Sequence, residues 1–175
     1  MEREDAAETK SEFINGEIVA MAGASFEHIR IVIDTSTCLN TQLAGKGCEV
    51  FRNDLRVFAE DCDCYFYPDI VATCGKIEHT AHRPPALLNP KVIIEVLSES
   101  TADRDRGVKF ACYRSIPSLQ DYITVSTDSM TIDHYTRITE DQWMPTIYRG
   151  GKAVLEIASI GCSLPLKAVY ARIEF

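Results

Sequence analysis

Hydrophobic residues along the chain fall into short runs of two kinds, and together they predict one sheet with helices packed around it. Val92-Ile93-Ile94-Glu95-Val96-Leu97 and Ile70-Val71-Ala72-Thr73 are near-continuous apolar segments of strand length, the pattern of strands covered on both faces. Residues 122–125, 130–137 and 144–148 follow as further β-rich stretches. Residues 48–52 and 55–59 flank Asn53-Asp54, which predicts a hairpin, and residues 17–20 form a short strand after the turn signal Asn15-Gly16.

Helical spacing takes over elsewhere. Ser25 is placed to cap a helix with Glu27 in its first turn, and Ile29, Val32, Ile33, Leu39 and Leu43 supply its apolar stripe. The β-branched run Ile31-Val32-Ile33 favours a strand locally, but length and caps favour the helix, with Gly45 or Gly47 ending it. Ser100 or Thr101 would cap a second helix reaching about Arg114, stopped ahead of Ile116-Pro117. Residues 165–173 are expected as a closing helix, and residues 75–90, rich in His, Pro and charge, as a long loop. The mixed order of strands and helices predicts an α/β fold in one domain over residues 12–175, after a polar tail at 1–11.

Composition narrows the class. No stretch approaches the roughly 20 apolar residues of a membrane span, and Met1-Glu2-Arg3-Glu4-Asp5 is charged where a secretory signal is apolar, so a cytoplasmic protein is expected. Seven scattered cysteines in such a chain predict reduced, mostly buried thiols. The weaker alternative is a zinc site at Cys62, Cys64 and Cys74 with His79 and His82, whose spacing matches no common finger.

The chemistry centres on Glu95. It interrupts an apolar run that otherwise reads as a doubly buried strand, where an ionised carboxylate costs several kcal/mol unless a cation or hydrogen bonds compensate. Asp69 stands at the mouth of Ile70-Val71-Ala72 behind Pro68. Two carboxylates on neighbouring strands, with the Val96 carbonyl as a third oxygen, suit Mg²⁺ or Mn²⁺. The competing readings are a buried ion pair for Glu95 and a turn residue for Asp69.

These residues stand within a longer pattern. Tyr67-Pro68-Asp69-Ile70-Val71, Asn89-Pro90, Ile94-Glu95-Val96-Leu97-Ser98-x-Ser100-Thr101, Asp105-Arg106-Gly107-x-Lys109-x-x-x-Tyr113 and Ile116-Pro117-Ser118-Leu119-Gln120-Asp121-Tyr122 follow in order, after Asn15-Gly16-Glu17-Ile18 and His28. Over roughly residues 12–172 the chain resembles the putative restriction endonuclease family of the PD-(D/E)XK nuclease superfamily. The resemblance implies a restriction-endonuclease-like fold, a central mixed β-sheet flanked by helices, and metal-dependent hydrolysis of phosphodiester bonds, expected in DNA. The superfamily lysine would fall at position 97, where this chain has Leu97; the resembled family supplies it from the next helix, which points to Lys109. Asp105 and Lys109 share a helix face, and the plain reading of that pair is an exposed surface bridge. Tyr113 lies one turn further on. His28 is expected to face the cleft, and Glu17 to complete the acidic cluster.

A net charge of −8 runs against a nucleic-acid partner, although a carboxylate metal site accounts for part of it. It supports the alternative of a catalytically weak or inactive nuclease-fold binding or assembly protein. Arg104, Arg106, Lys109 and Arg114, with Lys76, His79, His82 and Arg83 of the 75–90 loop, are the candidate phosphate contacts. The strands at 122–148 offer an edge for a homodimer.

Overall fold

The computed structural model describes residues 11–14, 16–20, 23–81, 83–98 and 102–175. The expected turn at Asn15, the ligand candidate His82, the caps Ser100 and Thr101, and most of the N-terminal tail fall outside these. Ser11 already pairs with Ala20, in β1 (Ser11–Ile14) against β2 (Glu17–Ala20).

A mixed six-stranded sheet forms the centre. Its members are β3 (Cys48–Arg52), β6 (Ile70–Cys74), β8 (Val92–Leu97), β9 (Asp121–Ser126), β10 (Thr131–Arg137) and β11 (Trp143–Arg149), in the order β11-β10-β9-β8-β6-β3. Within this sheet the β8–β9 pair is parallel and the other pairs are antiparallel. The near-continuous apolar run of β8 follows from its place, since every residue in it is buried. Alternate residues serve two cores. Ile70, Ala72, Val92, Ile94 and Val96 pack towards α1 (Phe26–Leu43) and the C-terminal segments. Val71, Ile93 and Tyr122 pack the other way, against the residue 110–119 region and a second sheet. That sheet, in the order β2-β1-β5-β4-β7, contains β4 (Arg56–Ala59), β5 (Cys64–Phe66) and β7 (Ala86–Leu87).

Several expectations give way to tertiary context. The Ser25 cap forms, accepting from the His28 amide, but α1 buries Ile31, Val32, Thr35, Ser36, Leu39 and Leu43 while Ile29 and Ile33 are exposed. Its inner face is thus rotated from the expected stripe, because small polar residues share it. β3 and β4 form no hairpin: Asn53-Asp54 is a crossing between sheets, with β3 on β6 and β4 on β5 and β7. The 75–90 loop contains β7, parallel to β4. The closing helix shrinks to α4 (Leu166–Val169), preceded by an unforeseen hairpin of β12 (Val154–Ile157) and β13 (Cys162–Pro165). The second helix is composite, with α2 (Ala102–Arg104), a π-helical segment Asp105–Lys109 and α3 (Phe110–Tyr113).

The expectation of reduced thiols fails at one pair. Cys48 and Cys74 face each other across β3 and β6 and form a disulfide. This also removes Cys74 from any zinc set. Cys62 and Cys64 lie in the other sheet region, with Cys112 Sγ 4.0 Å from Cys64 Sγ.

Candidate active site

The site is built where β6 begins and β8 nears its end. The β6–β8 register sets Ile70 opposite Ile94, and one step further sets Asp69 opposite Glu95 on the same face of the sheet. The Asp69 amide lies 3.4 Å from Glu95 Oε2. Pro68, having no N–H, cannot extend the ladder, and Asp69 takes over that role with its side chain: the Val96 amide donates to Asp69 Oδ2 at 2.7 Å. The carboxylate is thereby locked in place by the strand it faces.

Around this pair the structure gathers five more side chains, those of Lys109, Glu12, Asp105, Tyr113 and His28. Lys109 Nζ lies 2.8 Å from Glu12 Oε1, 3.2 Å from Glu95 Oε1 and 3.2 Å from Asp105 Oδ1. The Tyr113 hydroxyl donates to Glu95 Oε1 at 3.2 Å. His28 Nε2 is 3.1 Å from Asp69 Oδ2, and its ring also meets the Val96 carbonyl. All of these except Tyr113 line a cleft of about 140 Å³.

The expected exposed pair Asp105–Lys109 is therefore a buried one, at 2% and 5% exposure. Glu17 does not join the cluster; it is exposed on β2. Its place is taken by Glu12 on β1, which is 1% exposed and accepts from the Tyr67 amide at 3.3 Å. Strand alternation decides between them: Glu12 shares the inward face of β1 with Ile14. An alternation count through Ile14 would have found it. Lys76, His79 and Arg83 are exposed, outside the cleft.

Electrostatics follow from the charge count. Four carboxylates (Glu12, Asp69, Glu95, Asp105) line the cleft beside Lys109. Burial pushes the Glu95 carboxyl well above its ordinary range, Asp105, Asp69 and Glu12 push the same way, and Lys109 opposes them. Burial works to lower the Lys109 ammonium, but Glu95, Glu12 and Asp105 outweigh it and hold the lysine charged. For His28 burial likewise lowers, and the hydrogen bond and charge of Asp69 win, leaving it raised above 6.5.

The donor set suits a hard divalent cation. Glu95 Oε1 is committed to Lys109 and Tyr113, and Asp69 Oδ2 to Val96 and His28. The oxygens left to face a cation are Asp69 Oδ1, Glu95 Oε2, which the Asp69 amide approaches at 3.4 Å, and the Val96 carbonyl, which the His28 ring meets. Among the described residues no group of three or more His, Cys, Asp or Glu side chains is arranged as a metal cluster. Two carboxylates with a carbonyl are a sparse set, the kind Mg²⁺ accepts because it keeps several waters.

The chain is similar to known proteins in sequence and in fold. A family model described as "Uma2: Putative restriction endonuclease" matches residues 1–167. The chain is 36% identical over 158 residues to the uncharacterized protein sll1609 of Synechocystis sp. (strain ATCC 27184 / PCC 6803 / Kazusa), covering 90% of this chain and 89% of that one. It is 34% identical over 172 residues to slr1290 of the same organism, covering 98% and 89%. A crystal structure from Anabaena variabilis ATCC 29413, described as a putative nuclease belonging to DUF820, has a TM-score of 0.73 at 18% identity, over 94% of this chain and 92% of that one. The shared fold is restriction-endonuclease-like. No described helix is long and apolar enough to cross a membrane.

Proposed function

The chain belongs to the Uma2 family of putative restriction endonucleases, and from that premise we propose that it hydrolyses phosphodiester bonds in DNA at the Asp69–Glu95 cleft with a bound Mg²⁺ or Mn²⁺. The observation that carries the proposal is the pairing of Asp69 and Glu95 on one face, with the Asp69 amide 3.4 Å from Glu95 Oε2.

The cation would be held by Asp69, Glu95 and the Val96 carbonyl, and would supply Lewis-acid polarisation of a phosphoryl oxygen and a lowered pKa for a bound water. The chain's own residues do the rest. Lys109 and Tyr113 both bind Glu95 Oε1, so they fix which oxygen of that carboxylate stays available. Glu12 and Asp105 hold Lys109 in position and keep it protonated. The lysine then offsets part of the surrounding carboxylate charge as negative charge develops on the phosphoryl group. His28 orients Asp69 and stands at the cleft mouth, placed to pass a proton. β11 is the outer strand of the central sheet, with Met144 and Ile147 52% and 50% exposed, and it is the edge on which a second copy would pair.

Cleavage of plasmid DNA with and without Mg²⁺, by the wild type and by Asp69→Ala and Glu95→Ala, tests the assignment. Metal-dependent cutting that falls by about 100-fold or more in either variant is expected, the scale of losing a positioned charge in an active site, with folding retained because a repulsive carboxylate has been removed. Cutting at the wild-type rate by both variants ends the assignment of this cleft.

A further inference from the structure

The cations of the 102–113 segment are not equivalent. Lys109 is surrounded by three carboxylates within 3.2 Å, so its charge is more than offset by its own neighbours. Arg106 is 46% exposed and pairs with Asp133 at 3.4 Å. Arg114 is exposed, donates to the Asp141 carbonyl and lies over the Phe110 ring, away from the cleft.

Arg104 differs from all of these. It lines the cleft beside Glu95 and Lys109. Among the described residues its guanidinium pairs with Glu12 Oε2 at 3.9 Å, too long for a hydrogen bond. Among the described residues, Arg104 Nε and Glu12 Oε2 are each buried without a hydrogen-bond partner. Arg104 and Glu12 Oε2 thus lie close without a hydrogen bond, while Glu12 Oε1 is taken by Lys109 and the Tyr67 amide. Such a pair contributes little as a structural element: the buried Nε and Oε2 forfeit hydration with no bond in return, while the Arg104 side chain stays 30% exposed. It makes sense as a group held ready for a ligand: Glu12 steers the guanidinium by charge without using up its donors.

The ligand must be an anion that brings its own acceptors into a cleft walled by carboxylates. A guanidinium presents a planar fork of N–H donors that matches two oxygens of a phosphate. We propose that Arg104 binds the non-bridging oxygens of a phosphodiester in the nucleic-acid strand lying in the cleft. This rests on the nuclease reading above and adds the residue that anchors the substrate, a part Lys109 cannot play while three carboxylates surround it.

The test is equilibrium binding of a short labelled DNA duplex, with calcium present to allow binding without turnover. It compares wild type with Arg104→Ala, Arg104→Lys and, as a control for net charge, Arg149→Ala at an exposed position of β11. Arg104→Ala is expected to weaken binding by about tenfold or more and to flatten the dependence of log affinity on log salt by about one phosphate contact. Arg104→Lys recovers the salt slope and only part of the affinity, because the charge returns without the fork. It also serves in place of the alanine variant if that one unfolds. Arg149→Ala stays within about twofold of wild type, as expected for a surface charge with no phosphate contact. A wild type that binds and cuts DNA while Arg104→Ala binds equally well overturns the role of Arg104 and leaves the nuclease reading standing. An Arg149→Ala loss equal to that of Arg104→Ala overturns it as well. Failure of the wild type to bind or cut any nucleic acid overturns both.

Discussion

At the start of the parallel pair β8–β9, the Asp121 carboxylate has one oxygen 2.7 Å from His134 Nε2, takes the Ser159 hydroxyl on the other, and Thr136 Oγ1 lies 3.1 Å from the same imidazole nitrogen. Towards the other end, Glu95 shares its surroundings with Glu12, Asp69 and Asp105, and buried atoms of Glu12 and Arg104 have no partner among the described residues. Both clusters are buried and both join different elements. The first pairs one acid with one base and spends its oxygens on bonds. The second collects negative charge beyond what its lysine balances and leaves polar atoms unspent. Burial of charge alone therefore says little about function. Surplus charge and unsatisfied donors on one wall separate a site from a structural tie, and the C-terminal end of the parallel strands is where such clefts form in α/β proteins.

The comparison can be broken most severely at Lys109. Lys109→Met leaves Glu12, Glu95 and Asp105 without their shared cation, and a loss of about 3–5 kcal/mol in denaturant unfolding at neutral pH is expected. Because the Glu95 carboxyl is already raised, its ionised form is the destabilised one, and the deficit should shrink as pH falls through its folded pKa. A loss below about 1 kcal/mol, the range of exposed pairs, would mean that the cluster is not held by its lysine.

Asp121→Asn makes the opposite case. It should cost about 2 kcal/mol, the scale of hydrogen bonds to a charged group, and leave cleavage per folded molecule unchanged. A variant that stays stable but stops cutting would erase the distinction between the two ends.

His28 gives the smallest effect. Its folded pKa is raised above 6.5, so its pairing with Asp69 stabilises fully below the unfolded value and is lost as pH rises through the folded one. The stability difference between wild type and His28→Gln, measured in EDTA, should be about 0.5 kcal/mol larger under mildly acidic than under alkaline conditions, the scale of a partly exposed pair. An unchanged difference across that range would place His28 outside the ionic balance of the cleft.

Much of this architecture can be read from the chain, and the limits are physical. Asp69 and Glu95 are legible because a carboxylate inside an apolar strand conflicts with local packing and demands a reason. The segments that become β6, β8, β9, β10 and β11 are legible because their runs are long enough to outweigh noise, while their order in the sheet comes from the structure. Glu12 is hidden beside Glu2, Glu4, Asp5 and Glu8, and the alternation with Ile14 that turns it inward can be counted only once residues 11–14 are read as a strand. The face of α1 misleads for a related reason: Thr35 and Ser36 are buried, so hydrophobicity alone points to Ile29 and Ile33. Asn53-Asp54 carries hairpin chemistry yet joins two sheets, since partners for β3 and β4 come from residues far along the chain. The Cys48–Cys74 bond depends on cross-strand register, which spacing does not reveal.

The π-helical segment has a consequence for how this region tolerates length changes. In an α-helix four residues overshoot one turn by about 40°, so three side chains spaced by four drift steadily around the axis. A wider turn over Asp105–Lys109 undershoots instead, and the α-helical stretch Phe110–Tyr113 swings back. The two errors cancel in phase, which lets Lys109 and Tyr113 reach one oxygen of Glu95 while Asp105 still reaches the lysine. Excising a single residue such as Gly107 would remove the wide turn and throw these side chains out of step with the strand they serve.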